Sequence, residues 1–119
     1  MRTFLKSFVF AARGIRAFFR TERNGQIQGA VALVAIAAGL YFGISRAEWI
    51  VLLACIAAVI SLEMLNSALE TLCNLYSTDY HPLIGRIKDG AAGAVLWTSA
   101  GAAIIGILLF WPHVRALFH

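Results

Sequence analysis

Apolar positions along this chain fall into three long blocks and one striped block. Residues 27–44, 49–75 and 91–111 are dominated by Ala, Leu, Ile, Val, Gly and aromatic side chains. As helices, each is long enough to cross a hydrocarbon core of ~30 Å, and the pattern predicts three transmembrane helices. Ahead of them, MRTFLKSFVFAARGIRAFFRTER alternates basic and aromatic residues. On a helical wheel Arg2, Lys6, Arg13, Arg16, Arg20 and Arg23 share an arc of about 100°, while Phe4, Phe8, Ile15, Phe18 and Phe19 project on the opposite side. This predicts an amphipathic helix over 1–24 lying in the membrane interface. A cleaved signal peptide fits poorly, because arginines interrupt the apolar stretch and no small-residue cleavage site follows it.

The second block departs from the pattern at its end. After WIVLLACIAAVISL comes EMLNSALE, residues 63–70, with two glutamates and an asparagine. At about 100° per residue, Glu63, Asn66, Glu70 and Asn74 fall within roughly a quarter turn, whereas Met64, Leu65, Leu69 and Leu72 occupy the other faces. A structural patch that sets helix register is one reading of this face. A functional site is the favoured one, because burying an ionised carboxylate without a partner is costly and intramembrane acids mark function by default.

Composition agrees with a membrane protein: of 119 residues, 61% are hydrophobic and 13% charged, which excludes a disordered tail or an ordinary soluble domain. The length corresponds to one domain, 1–119, too small to surround a large site alone, so self-association is expected. The net charge of +4 comes from basic residues that flank the apolar spans. Anionic lipid headgroups account for it better than nucleic acid. Cys55 and Cys73 are separated by roughly 27 Å on one helix and cannot pair within it, so both read as packing residues.

Topology follows from the Lys and Arg distribution. Six precede the first span, and Arg86 and Lys88 lie between the second and third, against Arg46 and Arg115 elsewhere. The N-terminus and the second connection are therefore expected in the cytoplasm, with the 45–48 hairpin and the C-terminus outside. This gathers Glu22, Glu63, Glu70, Lys88 and Asp89 into one layer near the cytoplasmic face. Two acids on one helix face, a third on a neighbouring helix and a lysine within reach suit a divalent cation carrying phosphates, since Mg²⁺ prefers oxygen ligands and takes one or two carboxylates plus nucleotide oxygens.

Other motifs are weaker. Gly85 and Gly90 make a G-x-x-x-x-G, but Ala91-Ala92 stand where a phosphate loop needs Lys-Ser or Lys-Thr. Gly90, Gly93, Gly101 and Gly106, with their alanine neighbours, are expected to permit close helix packing. His81 precedes Pro82 in a loop without a second ligand at zinc spacing, so loop hydrogen bonding or nucleotide contact is expected. Asp79 is expected to accept from nearby backbone amides in a turn.

EMLNSALE, the following DYHPLIGRIKDGAAGAVL and the earlier ARGIRAFFRTERN resemble the prokaryotic diacylglycerol kinase family of small three-span lipid kinases. The resemblance extends from about Ser7 to Phe110, and ERN-x-x-I-Q is closer in form to the undecaprenol kinase branch of Gram-positive bacteria than to the enteric diacylglycerol kinases. It implies an all-α homotrimeric bundle in the bacterial cytoplasmic (inner) membrane, with active sites between subunits at the cytoplasmic surface and MgATP as phosphate donor.

Carried onto matching positions, the resemblance makes Glu63 the catalytic base and Glu22 and Glu70 ligands of Mg²⁺. It likewise implies that Asn66 orients the site and that Lys88 with Asp89 contacts the nucleotide phosphates; Arg13, Arg16 and His81 are further candidates for ATP or substrate contact. Asn74 stands where the family usually has aspartate, and Gln28 where the enteric enzymes carry another acid. The implied reaction is phosphorylation of the primary hydroxyl of undecaprenol, with diacylglycerol as the alternative acceptor. A noncatalytic ion conduit is the alternative of another class, but it calls for polar residues through the full depth of the membrane, which spans two and three lack.

Overall fold

The computed structural model describes residues 2–119; Met1, part of the helix expected over 1–24, lies outside them. Four helices follow one another: α1 (Arg2–Thr21), α2 (Arg23–Phe42), α3 (Arg46–Tyr76) and α4 (Pro82–Ala116). α2, α3 and α4 are each long and apolar enough to cross a membrane, as the three apolar blocks predict. The chain is thus an all-helical membrane protein.

Glu22 breaks the chain between α1 and α2 by leaving helical geometry, at φ −92° and ψ 118°. The corner is nevertheless tied. The Glu22 amide donates to the Phe18 carbonyl at 2.9 Å, and the Gln26 side chain donates back to the Arg20 carbonyl at 3.1 Å, satisfying an acceptor left free at the end of α1. Phe18, buried, lies directly over Gly25, where an added Cβ would meet its ring at 2.6 Å. The other arginines and phenylalanines of α1 stay largely exposed, including Phe4 and Phe8.

Gly43 ends α2 in the left-handed conformation, φ 62°, which costs a glycine little and other residues more. Two residues later Ser45 starts α3 with a reciprocal cap: its hydroxyl accepts from the Glu48 amide at 3.2 Å, and the Glu48 carboxylate accepts from the Ser45 amide at 3.0 Å. Ile44 therefore belongs to the hairpin and is buried there, although the apolar block includes it. Gly39 is the second close approach, with an added Cβ 2.8 Å from the Trp49 ring.

α3 and α4 form the most extensive interface. They are longer than their apolar blocks: 31 residues give α3 a length of about 46 Å, and 35 give α4 about 52 Å. Both exceed the hydrocarbon thickness, so whole turns emerge from it. The segment read as a loop before residue 91 is therefore mostly helix, and Arg86, Lys88 and Asp89 are helical residues. His81 and Pro82 make this possible: proline fits the first turn, where its missing N–H is not needed, and His81 Nδ1 accepts from the Leu83 amide at 3.1 Å.

One sequence expectation is corrected. In the 77–81 turn it is the Ser77 hydroxyl that accepts, from the Asp79 amide at 3.1 Å; the Asp79 side chain makes no such bond among the described residues. Gly90, Gly93, Gly101 and Gly106 have nothing of this chain within 4 Å of an added Cβ, so they are not packed against a helix of their own chain. Within the chain, the close approaches occur at Gly25 and Gly39 instead.

Candidate functional site

α3 carries the polar face from the membrane interior toward one end of the bundle, and burial falls along it. Glu63 is only 5% exposed. Asn66, nearly one turn on, is half-buried, and Glu70 and Asn74 are exposed. The gradient places an inner carboxylate and an outer one on the same stripe.

The 77–81 turn folds α4 back antiparallel beside the end of α3. This brings together two residues that are 14 apart: Lys88 Nζ donates to Asn74 Oδ1 at 2.7 Å. At the opposite ends of the same two helices, His113 Nε2 lies 2.9 Å from Glu48 Oε2, with the Phe42 ring 5.7 Å from the His113 ring. The α3/α4 pair is thus clasped at both ends.

The remaining predicted site residues are placed as follows. Glu22 is half-buried at the α1/α2 corner and caps nothing with its side chain. Asp89 is exposed beside Lys88 on α4. Arg13 and Arg16 are exposed on α1, with the Arg13 guanidinium 5.9 Å from the centre of the Phe10 ring, within cation–π range. His81 is engaged as the cap of α4. Among the described residues, the side chains of Glu22, Glu63 and Glu70 make no hydrogen bond or ion pair. Nor do three or more His, Cys, Asp and Glu side chains come together to hold a metal ion. Lys88 and Asn74 are the pair of polar-layer side chains that one chain brings into direct contact.

Sequence reasoning placed Asn74 on the acid-bearing stripe and noted it as a departure from the family pattern, but missed its partner. Its position four residues after Glu70, on the acid face, is the available signal. Reasoning also missed a partly open cavity of about 500 Å³ between α2, α3 and α4. Its wall is apolar, aliphatic except for Phe110, apart from Gln28, Cys55 and Ser99, and the Ser99 hydroxyl is buried with no partner among the described residues. Val59 and Ile60 line it, so Glu63 stands about one helical turn beyond its lining. A buried acid next to an apolar chamber can address a molecule with a polar head and a long apolar tail.

The prokaryotic diacylglycerol kinase family profile matches residues 9–110, most of the chain. The chain belongs to this family. It is 41% identical to the undecaprenol kinase of Bacillus subtilis (strain 168) over 114 residues, covering 96% of this chain and 93% of the relative. It is 28% identical to the diacylglycerol kinase of Escherichia coli (strain K12) over 109 residues, 92% of this chain and 89% of that one. A diacylglycerol kinase of Synechocystis sp. (strain ATCC 27184 / PCC 6803 / Kazusa) is 36% identical over 116 residues, 95% of this chain and 65% of the relative. Members of the family are kinases of lipid alcohols, and this chain is an enzyme of that class. The resemblance carried by EMLNSALE and DYHPLIGRIKDGAAGAVL is borne out.

Proposed function

We propose that this enzyme transfers the γ-phosphoryl group of ATP to the primary hydroxyl of undecaprenol at the cytoplasmic face of a bacterial inner membrane. The observation that carries the chemistry is the unpartnered, buried carboxylate of Glu63 one turn from an apolar cavity. The 41% identity to an undecaprenol kinase, against 36% and 28% to the Synechocystis and E. coli diacylglycerol kinases, favours the polyprenol as acceptor.

Phosphoryl transfer asks the protein mainly for positioning and charge neutralisation. Glu63 accepts the proton of the lipid hydroxyl as its oxygen attacks the γ-phosphorus, and ADP leaves. The apolar cavity holds part of the tail, so that the hydroxyl is presented at the carboxylate. Lys88 places a cation on the nucleotide phosphates, with Asp89 beside it, and Asn66 orients the reacting groups. Arg13 and Arg16 on α1 add positive charge at the membrane surface; α1 lies there with its aromatic face in the lipid. His81 contributes by starting α4 so that Lys88 is correctly placed.

Mg²⁺ fits the donor set. Glu22 and Glu70 offer carboxylate oxygens without a hydrogen-bond or ion-pair partner among the described residues, and Mg²⁺ takes one or two carboxylates together with nucleotide oxygens. When bound, Mg²⁺ supplies neutralisation of phosphate charge.

A homotrimer completes the site between subunits. One observation supports association: Gly90, Gly93, Gly101 and Gly106 leave open small-residue surface on α4 against which another helix can pack closely. The active species in a mild detergent is expected to have the mass of three chains; active monomers alone would remove the assembly from the reading.

The activity is tested by presenting purified enzyme with undecaprenol and diacylglycerol in mixed micelles with labelled ATP, and comparing kcat/KM. A preference for undecaprenol is expected. A clear excess for diacylglycerol would replace the acceptor while leaving the kinase intact, and no transfer to either lipid would end the proposal.

A further inference from the structure

The 2.7 Å bond between Lys88 Nζ and Asn74 Oδ1 joins two elements of the polar layer that the chain otherwise keeps apart. Asn74 lies two residues before the end of α3, one turn beyond Glu70 on the same face. Lys88 is six residues into α4 and half-buried. The bond therefore draws the ammonium of one helix onto the acid-bearing stripe of the other.

We infer that Asn74 is a positioning residue for the kinase reaction, holding the Lys88 ammonium where it meets the phosphates of ATP. This rests on the reading of Lys88 as a phosphate contact.

The chemistry of the pair supports this role. A lysine ammonium has three donors on a flexible four-carbon stem. One donor is spent on Asn74. The other two, and the whole positive charge, stay free, because the amide oxygen accepts without neutralising. A carboxylamide thus fixes the cation in space and leaves its charge available. Without Asn74 the ammonium keeps its charge but samples many rotamers, and each nucleotide must then order it on binding.

The bond also helps fasten α3 to α4, but it is not the sole fastening, since Glu48 and His113 join the other ends at 2.9 Å. A fastening role alone would show in stability and not in nucleotide affinity. The test must separate the two.

The experiment measures KM for MgATP, KM for the lipid alcohol, kcat and thermal midpoint in detergent for the parent, Asn74→Ala, Asn74→Ser, Asn74→Asp, Lys88→Met and the double variant Asn74→Ala with Lys88→Met. Serine remains polar but is too short to reach the ammonium, and it replaces alanine in the comparison if that variant does not fold. Removing the acceptor is expected to raise KM for MgATP roughly tenfold, the low end for a hydrogen bond to a charged group. The lipid KM and kcat should stay within about threefold of the parent, because this bond touches neither the lipid nor Glu63. Asn74→Asp keeps an acceptor in the same place and should recover most of the MgATP affinity, as carboxylates do when they hold the phosphate-binding lysine of soluble kinases.

The decisive arm is the double variant. If Asn74 acts through Lys88, its loss adds nothing once Lys88 is methionine, and the two effects on KM are far from additive. Fluorescent ATP-analogue binding should follow the same pattern without turnover. Unchanged MgATP affinity in both Asn74→Ala and Asn74→Ser, failure of aspartate to recover it, or additive effects in the double variant would each overturn the inference. A parent enzyme that phosphorylates no lipid would instead strike the proposed function. A Lys88→Met variant with parental MgATP affinity would remove Lys88 from the nucleotide site and Asn74 with it.

Discussion

Glu63→Gln protein is expected to fold, insert and bind MgATP normally, yet phosphorylate lipid roughly 10²- to 10⁴-fold more slowly, the range lost with a positioned general base. The side chain is 5% exposed, shares no hydrogen bond or ion pair among the described residues, and stands one turn from the cavity proposed for the lipid tail. Glutamine preserves its shape and removes its basicity. Because the carboxylate holds no other side chain in place, its loss should leave the surrounding helices unchanged. A residue kept only to set helix register predicts the reverse, an altered thermal midpoint with turnover preserved in the folded fraction.

Met64→Leu and Leu69→Ile, on the other faces of α3, conserve volume approximately and should alter neither turnover nor KM. The measurement is steady-state lipid phosphorylation on protein matched for thermal midpoint. Parental rates from Glu63→Gln would remove the general-base assignment, since no such base survives conversion to an amide.

Glu70→Gln should fail in a different parameter. Glu70 is exposed and unpaired among the described residues, so the substitution costs the fold little. An amide oxygen is a poorer ligand than a carboxylate for a hard cation. The expected result is apparent MgATP affinity weakened on the order of 10- to 100-fold, comparable to or larger than the cost of losing a group that merely supports a metal ligand. Excess magnesium should restore part of it.

Glu22→Gln should behave alike, because its carboxylate caps no helix and is free to bind a cation. The check is a titration of initial rate against free Mg²⁺ at fixed ATP for each variant. Loss of kcat with no dependence on magnesium would take Glu70 out of the metal site. The opposed signatures of Glu63 and Glu70, on one stripe of one helix, make the pair informative together.

Much of this molecule is dictated locally. Apolar blocks of sufficient length must be helices in a bilayer, because backbone groups there have no water to bond. The 3.6-residue period alone then puts Glu63, Asn66, Glu70 and Asn74 on one stripe. Ser45 and Glu48 encode their reciprocal cap within four residues. These features depend on neighbours in sequence, and sequence carries them.

What required the tertiary structure is whatever depends on how one helix lies against another. Both Glu63 and Glu70 are glutamates on the same face, yet only packing makes one buried and the other exposed. The small residues of α4 and those of α2 look alike as letters, but the aromatic rings lie over Gly25 and Gly39 and not over Gly101 or Gly106. The 77–81 turn and the antiparallel return of α4 put Lys88 on Asn74 and His113 on Glu48, contacts whose partners stand 14 and 65 residues apart. Periodicity fixes the direction in which a side chain leaves its own helix. The partner it meets depends on the offset and rotation between helices, which are set by the sum of many side-chain contacts across the bundle and by no single stretch of chain.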